Sequence, residues 1–356
     1  MTLVFGIEST AHTFSCGIVS DVHKHCNVLS NEKHSLQTRE GGMIPRELGA
    51  HHQEYAKSVV DSALKKSGKA IEEMDVFAFA QGPGMGPALR VGALTARALA
   101  LKYNKPLLGV NHAVAHIEIG KALTNARDPL VVYISGGNTQ LIGLEEGHYR
   151  VFGETLDIGI GNLLDSFGRA LGRGFPAGPA LDEKYFLGKQ LIELPYTVKG
   201  MDLAYSGLLT AAEQKIGKMQ DSSSSGPLKA VHRHAQSKAR NENDLCYSLF
   251  HTAAAMLTEV TERALAHTGK KEVLLVGGVA ASKAVQGMMQ KMGDARGAKL
   301  FVPPLWACGD QGAMIAWTGL LAFRAGVRQR IEDTNIKQRF RVDEVKAVWA
   351  KPKKSK

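Results

Sequence analysis

The chain has 356 residues, 38 of them glycine, with 44% apolar and 6% aromatic content, a balance that predicts an α/β protein of two domains. No run of about 18 uncharged apolar residues is present, which excludes a helical membrane span. A formal net charge of +10 favours a polyanionic partner, nucleic acid first, without specifying which one. Cys16, Cys26, Cys246 and Cys308 are scattered with no CxxC pair, and MTLVFGIEST lacks the basic flank and cleavage site of a signal peptide. Both features predict a reduced intracellular protein, cytoplasmic and, in a eukaryote, also nuclear.

In chain order, LVFGIESTAHTFSCGIVS reads as a hairpin with Glu8, Ser9 and Thr10 at the turn. His51 and His52, in ELGAHHQEYA, fit a surface helix, a proton acceptor or a substrate gate. VFAFAQGPGMGPALRVGALTARALA reads as a buried strand, a glycine turn and a helix. Next, strand-like LLGV leads into NHAVAHIEIG. His112 and His116 there lie four residues apart, on one face of a helix, where two imidazoles can ligate one transition-metal ion or stand as ordinary satisfied histidines. Asn125–Pro129 is an expected boundary that closes a first lobe over residues 1–129.

LVVYISGGNTQLIGLEEG repeats the hairpin plan, with Tyr133 in the strand and Ser135 to Thr139 at the turn. Asp165 falls in the helical pattern LLDSFGRAL, and Gly178 and Asp182 flank a further helix start. These acids fit either helix-surface charges or the sugar contacts of a ribose-and-base pocket. Residues 217–243, with DSSSSG and a Lys/Arg-rich stretch, read as a polar, mobile, basic insertion. VLLVGGVAASKAVQGMMQKM repeats the order strand, glycine turn, helix. PPLWACGDQGAMIA then puts Asp310 at a strand-to-helix turn. The helix after it, ending near Gly326, belongs to a segment (311–350) that returns to the first lobe, followed by a disordered tail (351–356).

Each half thus begins with a hairpin and ends in strand, glycine turn and helix. That duplication predicts two α/β lobes facing a central cleft, the second spanning 130–310. His112, His116, Tyr133 and Asp310 are each expected at the mouth of an element, as one metal site. Imidazole and carboxylate suit zinc or iron, and a phenolate tilts toward iron. Glycine turns at Ser135–Asn138, Gly82–Gly86 and Gly277–Gly278 could each present N–H groups to phosphate, although none matches a P-loop or dinucleotide fingerprint. A plain tight turn is the favoured reading for Gly82–Gly86, and ligand binding for Ser135–Asn138.

The motifs GIEST, GPGMG, NHAVAH, YISGGNTQ, FGETLDIGIGNLLD, LPYTVKGMDLAYSG, GGVA and CGDQGAM, in this order from about Leu3 to Arg341, closely resemble the TsaD/OSGEP family. GIESTAHT and QRFRVDEV resemble its archaeal and eukaryotic branch, the catalytic subunit of the KEOPS complex. The resemblance implies a two-lobed actin/sugar-kinase/Hsp70-like (ASKHA) fold. It also implies transfer of threonylcarbamoyl from threonylcarbamoyl-adenylate to N6 of the adenosine 3′ to the anticodon, position 37 of ANN-decoding tRNAs. Carried over, His112, His116, Tyr133 and Asp310 match the family's catalytic metal ligands, iron or zinc. Tyr133, Ile134, Ser135, Gly136 and Gly137 match its contacts to the adenylate, with ATP or AMP as other occupants of the cleft. Asp165, Gly178 and Asp182 match its ribose and base contacts. Ser282 stands at an adenine-contact position where the family usually has Asn, and Gln311 also replaces a usual Asn. The implied partners are tRNA, an atypical kinase, a small dimerising subunit and a kinase-activating subunit. Two alternatives are a metallopeptidase and a non-catalytic ATP- or nucleic-acid-binding protein. Against the peptidase, the residues between His112 and His116 are Ala113, Val114 and Ala115, without the glutamate that HExxH enzymes use as general base.

Overall fold

The structure, a computed structural model, describes residues 1–22, 25–37, 43–221 and 230–350, with side chains described outside 220–240. The first half runs β1 (Leu3–Glu8), β2 (Thr13–Val22), β3 (His25–Ser35), α1 (Pro45–Ser67), β4 (Val76–Gly82), α2 (Gly86–Tyr103), β5 (Leu107–Asn111) and α3 (His112–Thr124). The second opens with β6 (Leu130–Ile134), β7 (Thr139–Glu145), β8 (His148–Glu154), α4 (Ile160–Ala170) and α5 (Gly178–Tyr185). It continues through β9 (Val198–Lys199), β10 (Asp202–Leu203), α6 (Ser206–Asp221) and α7 (Ala230–Thr268). It closes with β11 (Glu272–Val276), α8 (Lys283–Arg296), β12 (Lys299–Phe301), α9 (Leu305–Cys308) and α10 (Gly312–Arg324).

The two large sheets are copies of one plan. Their orders are β3-β2-β1-β4-β5 and, read from the other end, β8-β7-β6-β11-β12. In each, the first three strands form an antiparallel meander and the last two add in parallel. Parallel strands need crossovers, which place helices on the sheet faces and bury the central strands on both sides. Every residue of β1, β4 and β6 is accordingly buried, matching their near-continuous apolar sequences. The duplicated α/β reading of the sequence is therefore the observed fold.

α3 and α10, the helices that end the two halves, pack against each other. α3 is buried on all sides from His112 to Gly120, as expected of a helix with apolar residues around its whole circumference. α10 lies backbone-to-backbone on the first hairpin. A Cβ on Gly17 would sit 2.2 Å from the Ala313 nitrogen, and one on Gly6 would sit 2.3 Å from the Ala316 nitrogen. Only glycine permits that approach.

Two readings need correction. Residues 217–221 and 230–243 are helical, ending α6 and beginning α7, because Lys, Glu, Gln, Ala and Arg favour helix; 222–229 lie outside the described residues. The tail 351–356 lies outside them as well. Asp310 follows the short helix α9 rather than a strand, so it occupies a helix-to-helix turn. The turn Gly82–Gly86 is covered by the C-terminal segment: a Cβ on Gly82 would meet the Lys337 carbonyl at 1.8 Å. That contact supports the plain-turn reading over an anion site.

Candidate metal centre and its cleft

His112 opens α3, capped by Asn111, whose side-chain oxygen accepts the Val114 N–H at 3.1 Å. Such a cap stabilises a helix by about 1 kcal/mol and fixes the first turn, which carries His112. The Asn111 amide also donates to the carbonyls of Phe340 and Arg341, at 3.0 and 3.2 Å. One residue thus holds both the helix start and the C-terminal segment beside it.

His116 follows one turn later, its ring centroid 4.8 Å from that of His112. Asp310, brought in by the turn before α10, puts Oδ1 3.2 Å from His116 Nε2 and 3.5 Å from His112 Nε2. One donor atom from each of the three residues lies within 4.8 Å of the others. Two imidazole nitrogens and a carboxylate oxygen are a donor set for a transition metal such as zinc or iron. The other side of His112 is fixed by the first hairpin: Nδ1 lies 2.8 Å from Glu8 Oε2 and 3.3 Å from Thr10 Oγ1. Glu8 Oε1 accepts the Thr10 N–H at 2.6 Å. Nδ1–H therefore donates to Glu8, and the Nε2 side that faces Asp310 is the one a metal ion would take in place of a proton, the carboxylate–histidine arrangement that orients metal ligands. His116 lacks such a partner, since its Nδ1 is buried with no hydrogen bond among the described residues. The residues fit a metal ion.

Electrostatics follow from burial and the two carboxylates. Burial opposes charge on His112, but Glu8 and Asp310 outweigh it and lift this imidazole to about 9. His116 moves down because burial outweighs its bond to Asp310. Asp310 is held far below the carboxylate range, the two histidines overcoming burial.

Tyr133, fully buried in β6, stands beside the triad with its ring centroid 5.6 Å from His116. Burial first, then the Asp310 charge, pushes its phenol up, while the Ser135 and Asn138 side chains at its hydroxyl pull down. The turn after it is exposed at Gly136 and Gly137, and the start of α4 is tied to it. The Gly161 and Asn162 N–H groups donate to the carbonyls of Ser135 and Gly136 at 3.1 and 2.9 Å.

The other expected contacts form a connected set in the second lobe. Asp165 accepts the Ala177 N–H at 2.8 Å, immediately before Gly178 opens α5. Asp182 accepts the Ser282 hydroxyl at 2.6 Å and the N–H groups of Lys283 and Ala284 at 3.1 and 3.2 Å, capping α8. Both acids are tied to protein N–H or O–H groups and are not free helix-surface charges. Facing them, His12 of the first hairpin meets Phe175 edge-on at 5.4 Å. His51 and His52 are buried, so a surface-helix role does not describe them.

Two features escaped sequence reading. Glu8 was visible only as a turn residue, and its bond to a histidine 104 positions away has no local signal. Arg339 and Arg341 line a pocket with Tyr133, Asn138 and Gln140, although QRFRVDEV has no pattern that places it there.

With this geometry in view, similarity to known proteins is informative. Residues 27–317 match the family model described as TsaD, tRNA N6-adenosine threonylcarbamoyltransferase. A protein of that name from Thermococcus kodakarensis is 52% identical over 98% of this chain and 99% of its own length. A Methanosarcina mazei protein, described as a probable bifunctional tRNA threonylcarbamoyladenosine biosynthesis protein, is 44% identical over the whole chain and 61% of its own length. Among solved structures, full-length HypF in a phosphate- and nucleotide-bound form is similar at TM-score 0.58 and 10% identity, over 90% of this chain and 46% of that one. That likeness concerns the two-lobed fold alone. By its sequence over nearly its full length, the chain belongs to the TsaD family of tRNA N6-adenosine threonylcarbamoyltransferases.

Proposed function

We propose that this enzyme transfers the threonylcarbamoyl group of threonylcarbamoyl-adenylate to N6 of adenosine 37 in ANN-decoding tRNAs, with a metal ion at the histidine site. The convergence of His112, His116 and Asp310 at the cleft of a chain of this family carries the reading. His112, His116 and Asp310, with Tyr133 adjoining, would hold iron or zinc, which would supply Lewis acidity toward the phosphate and carbamoyl oxygens. The Glu8 carboxylate keeps His112 in the tautomer that presents Nε2.

The donor is a mixed anhydride, already activated, so no protein nucleophile is required. The Gly136 and Gly137 turn offers backbone N–H groups to the adenylate's anionic oxygens. Asp165, Gly178, Asp182 and Ser282 would hold ribose and base, Ser282 through a hydroxyl already aligned by Asp182. The exocyclic amine of adenosine is a weak nucleophile, so positioning supplies much of the rate. The target base must leave its stack in the anticodon loop, and basic surface holds the backbone. Lys229, Arg233, Lys238 and Arg240, whose side chains lie outside the described ones, are proposed contributors by charge alone. As in the KEOPS assembly, an atypical kinase, a small dimerising subunit and a kinase-activating subunit would be partners, in the cytoplasm.

The test is mass spectrometry of tRNA nucleosides from a strain depleted of its own enzyme and given this gene. Return of threonylcarbamoyladenosine is expected, and loss of the nucleoside despite stable expression would reject the reading. A peptidase is not supported, since both sequence relatives described above are named for tRNA threonylcarbamoylation.

A further inference from the structure

A cavity of about 170 Å³ opens beside the metal triad, and its lining is drawn from both lobes and from the C-terminal segment. Tyr133, Asn138 and Gln140 come from the second hairpin, and Arg339 and Arg341 from the segment after α10. Tyr133 joins the cavity to the metal site, its ring centroid 5.6 Å from that of His116. Ala113, next to His112 in the first turn of α3, is also in the wall. One water needs roughly 10–15 Å³, so a space of about 170 Å³ admits an organic fragment of several heavy atoms.

The arginines sit on a stretch of backbone fastened at both ends. On the first-lobe side, the Lys337 N–H donates to the Gln81 carbonyl at 2.7 Å, and the Gln338 carbonyl accepts the Gly84 N–H at 3.2 Å. Asn111 holds the carbonyls of Phe340 and Arg341. On the second-lobe side, the Ala347 N–H donates to the Gly147 carbonyl at 2.8 Å, and Lys346 bridges to His148. With its backbone fixed already, the stretch loses little further freedom when a ligand binds its side chains.

Charge in this wall is unbalanced. The ion pairs of the segment, among the described residues, join Arg330 to Asp333 and Arg341 to Asp343, and none involves Arg339. Arg341 gives Nε and Nη2 to Asp343, at 3.0 Å each, which leaves Nη1 outside that pair. Glu154 also acts on Arg341, while its carboxylate accepts the Gln140 amide at 2.9 Å. Arg339 is thus a guanidinium without a counter-ion at the cavity, and the first turn of α3 adds the positive end of a helix. Val151 and Val342 make the remaining wall apolar. Such a space suits a small ligand with an anionic head for a guanidinium fork and a short aliphatic part.

We infer that this cavity receives the threonyl part of the donor, with Arg339 and Arg341 binding its carboxylate and thereby making the enzyme selective for an amino-acid carbamoyl group. This role rests on the threonylcarbamoyl-transfer reading above. Threonyl carries the carboxylate for the guanidiniums, a hydroxyl for the amides of Asn138 or Gln140, and a methyl for the valines. In the donor the carbamoyl carbon stands between the phosphate and the threonyl nitrogen. With the phosphate at Gly136–Gly137, the threonyl group projects beyond it, and Tyr133 and Asn138, on either side of that turn, open the cavity. A tRNA phosphate is the competing anion. Backbone phosphates are met by open basic surface, whereas this wall is small and partly apolar.

The experiment compares wild type with the double variant Arg339→Gln, Arg341→Gln, each metal-loaded and with its partner subunits. Calorimetry uses two non-hydrolysable donor analogues, one with the free threonyl carboxylate and one with its carboxamide, and AMP as control. Wild type should prefer the carboxylate by about 10- to 100-fold, the range of a charge-assisted hydrogen bond. The double variant should bind both analogues alike, with AMP affinity and metal content unchanged. Both side chains are exposed, so the fold should be retained. Arg339→Gln alone leaves the Arg341–Asp343 pair intact and should lose most of the preference. Arg339→Lys keeps the charge without the fork and should keep part of it. An undiminished preference in the double variant would overturn the assignment. So would weaker tRNA binding with the preference intact, which would give the arginines to the RNA backbone. Where wild type binds the carboxylate analogue no better than AMP and transfers nothing to tRNA, the transfer reading has failed and this role with it. Wild type that binds and transfers, beside a double variant that still discriminates, rejects the role alone.

Discussion

Glu8 and His112 are 104 residues apart in sequence and share a 2.8 Å hydrogen bond in the fold. The bond joins the turn of the first hairpin to the first residue of a buried helix, and it selects which imidazole nitrogen is free to ligate. Glu8→Gln keeps the shape and an acceptor but removes the charge. Metal affinity, measured by chelator competition, should fall about 10- to 100-fold, the usual effect of losing an orienting carboxylate, with the fold retained. Unchanged affinity would mean that Glu8 only satisfies a buried ring. His116→Ala should instead abolish stoichiometric loading, because it removes a donor and not its support.

Asp182 poses a different question, since its oxygens already serve Ser282, Lys283 and Ala284 at the start of α8. Asp182→Ala should cost about 1–2 kcal/mol of stability in denaturant titration through the lost cap bonds. If Ser282 contacts the adenylate while aligned by Asp182, calorimetry with a non-hydrolysable analogue should also show weaker binding. Stability loss with unchanged affinity would confine Asp182 to helix capping.

Much of this was legible locally. The glycine turns, the alternating hairpins and the fully apolar strands specify each lobe within stretches of 20 to 40 residues, and their repetition specifies the duplication. His112 and His116 were legible because a helix turns a spacing of four into a shared face. What stayed hidden depends on long-range closure. Asp310 reaches the histidines 194 residues from His116 because α10 lies on the first hairpin, and nothing near Asp310 announces that path. His51 and His52 looked like the surface of an ordinary polar helix. Their burial comes from β2 and β3 packing on α1, those strands supplying Phe14 and His34 respectively.

Asp157 gives a pH dependence with a definite sign. Its carboxylate accepts the N–H groups of Tyr205 and Ser206, both at 2.9 Å, and the Ser206 hydroxyl, at the start of α6. Burial opposes the charged form, but these hydrogen bonds prevail and hold the carboxyl at about 2, from an ordinary 3.8. A folded value below the unfolded one contributes stability that is complete above the unfolded value and fades as pH falls toward the folded one. The contribution should therefore vanish between about pH 4 and pH 2. Asp157→Asn should lower the melting temperature at pH 7 and leave it near that of wild type at pH 2. A constant difference across that range would contradict the assignment.

Gly17 connects the fold to the site most directly. In this hairpin strand any Cβ would meet the Ala313 nitrogen at 2.2 Å and the Gly312 carbon at 2.6 Å, both backbone atoms that no rotamer change can move. The neighbouring bond from the Gly312 N–H to Ser15 Oγ, at 2.8 Å, fixes the start of α10 at this same place, two residues after Asp310. Gly17→Ala must therefore push α10 off the sheet or fail to fold. Overpacking of this kind costs about 1–3 kcal/mol, and backbone atoms on both sides put it at the upper end. Because the seating of α10 positions the preceding turn, and with it Asp310, beside His112 and His116, the same variant should bind metal more weakly although it touches no ligand. Thermal denaturation and metal titration on one preparation test both halves. A destabilised protein with wild-type metal affinity would show that Asp310 is held by its own turn rather than by the seating of α10.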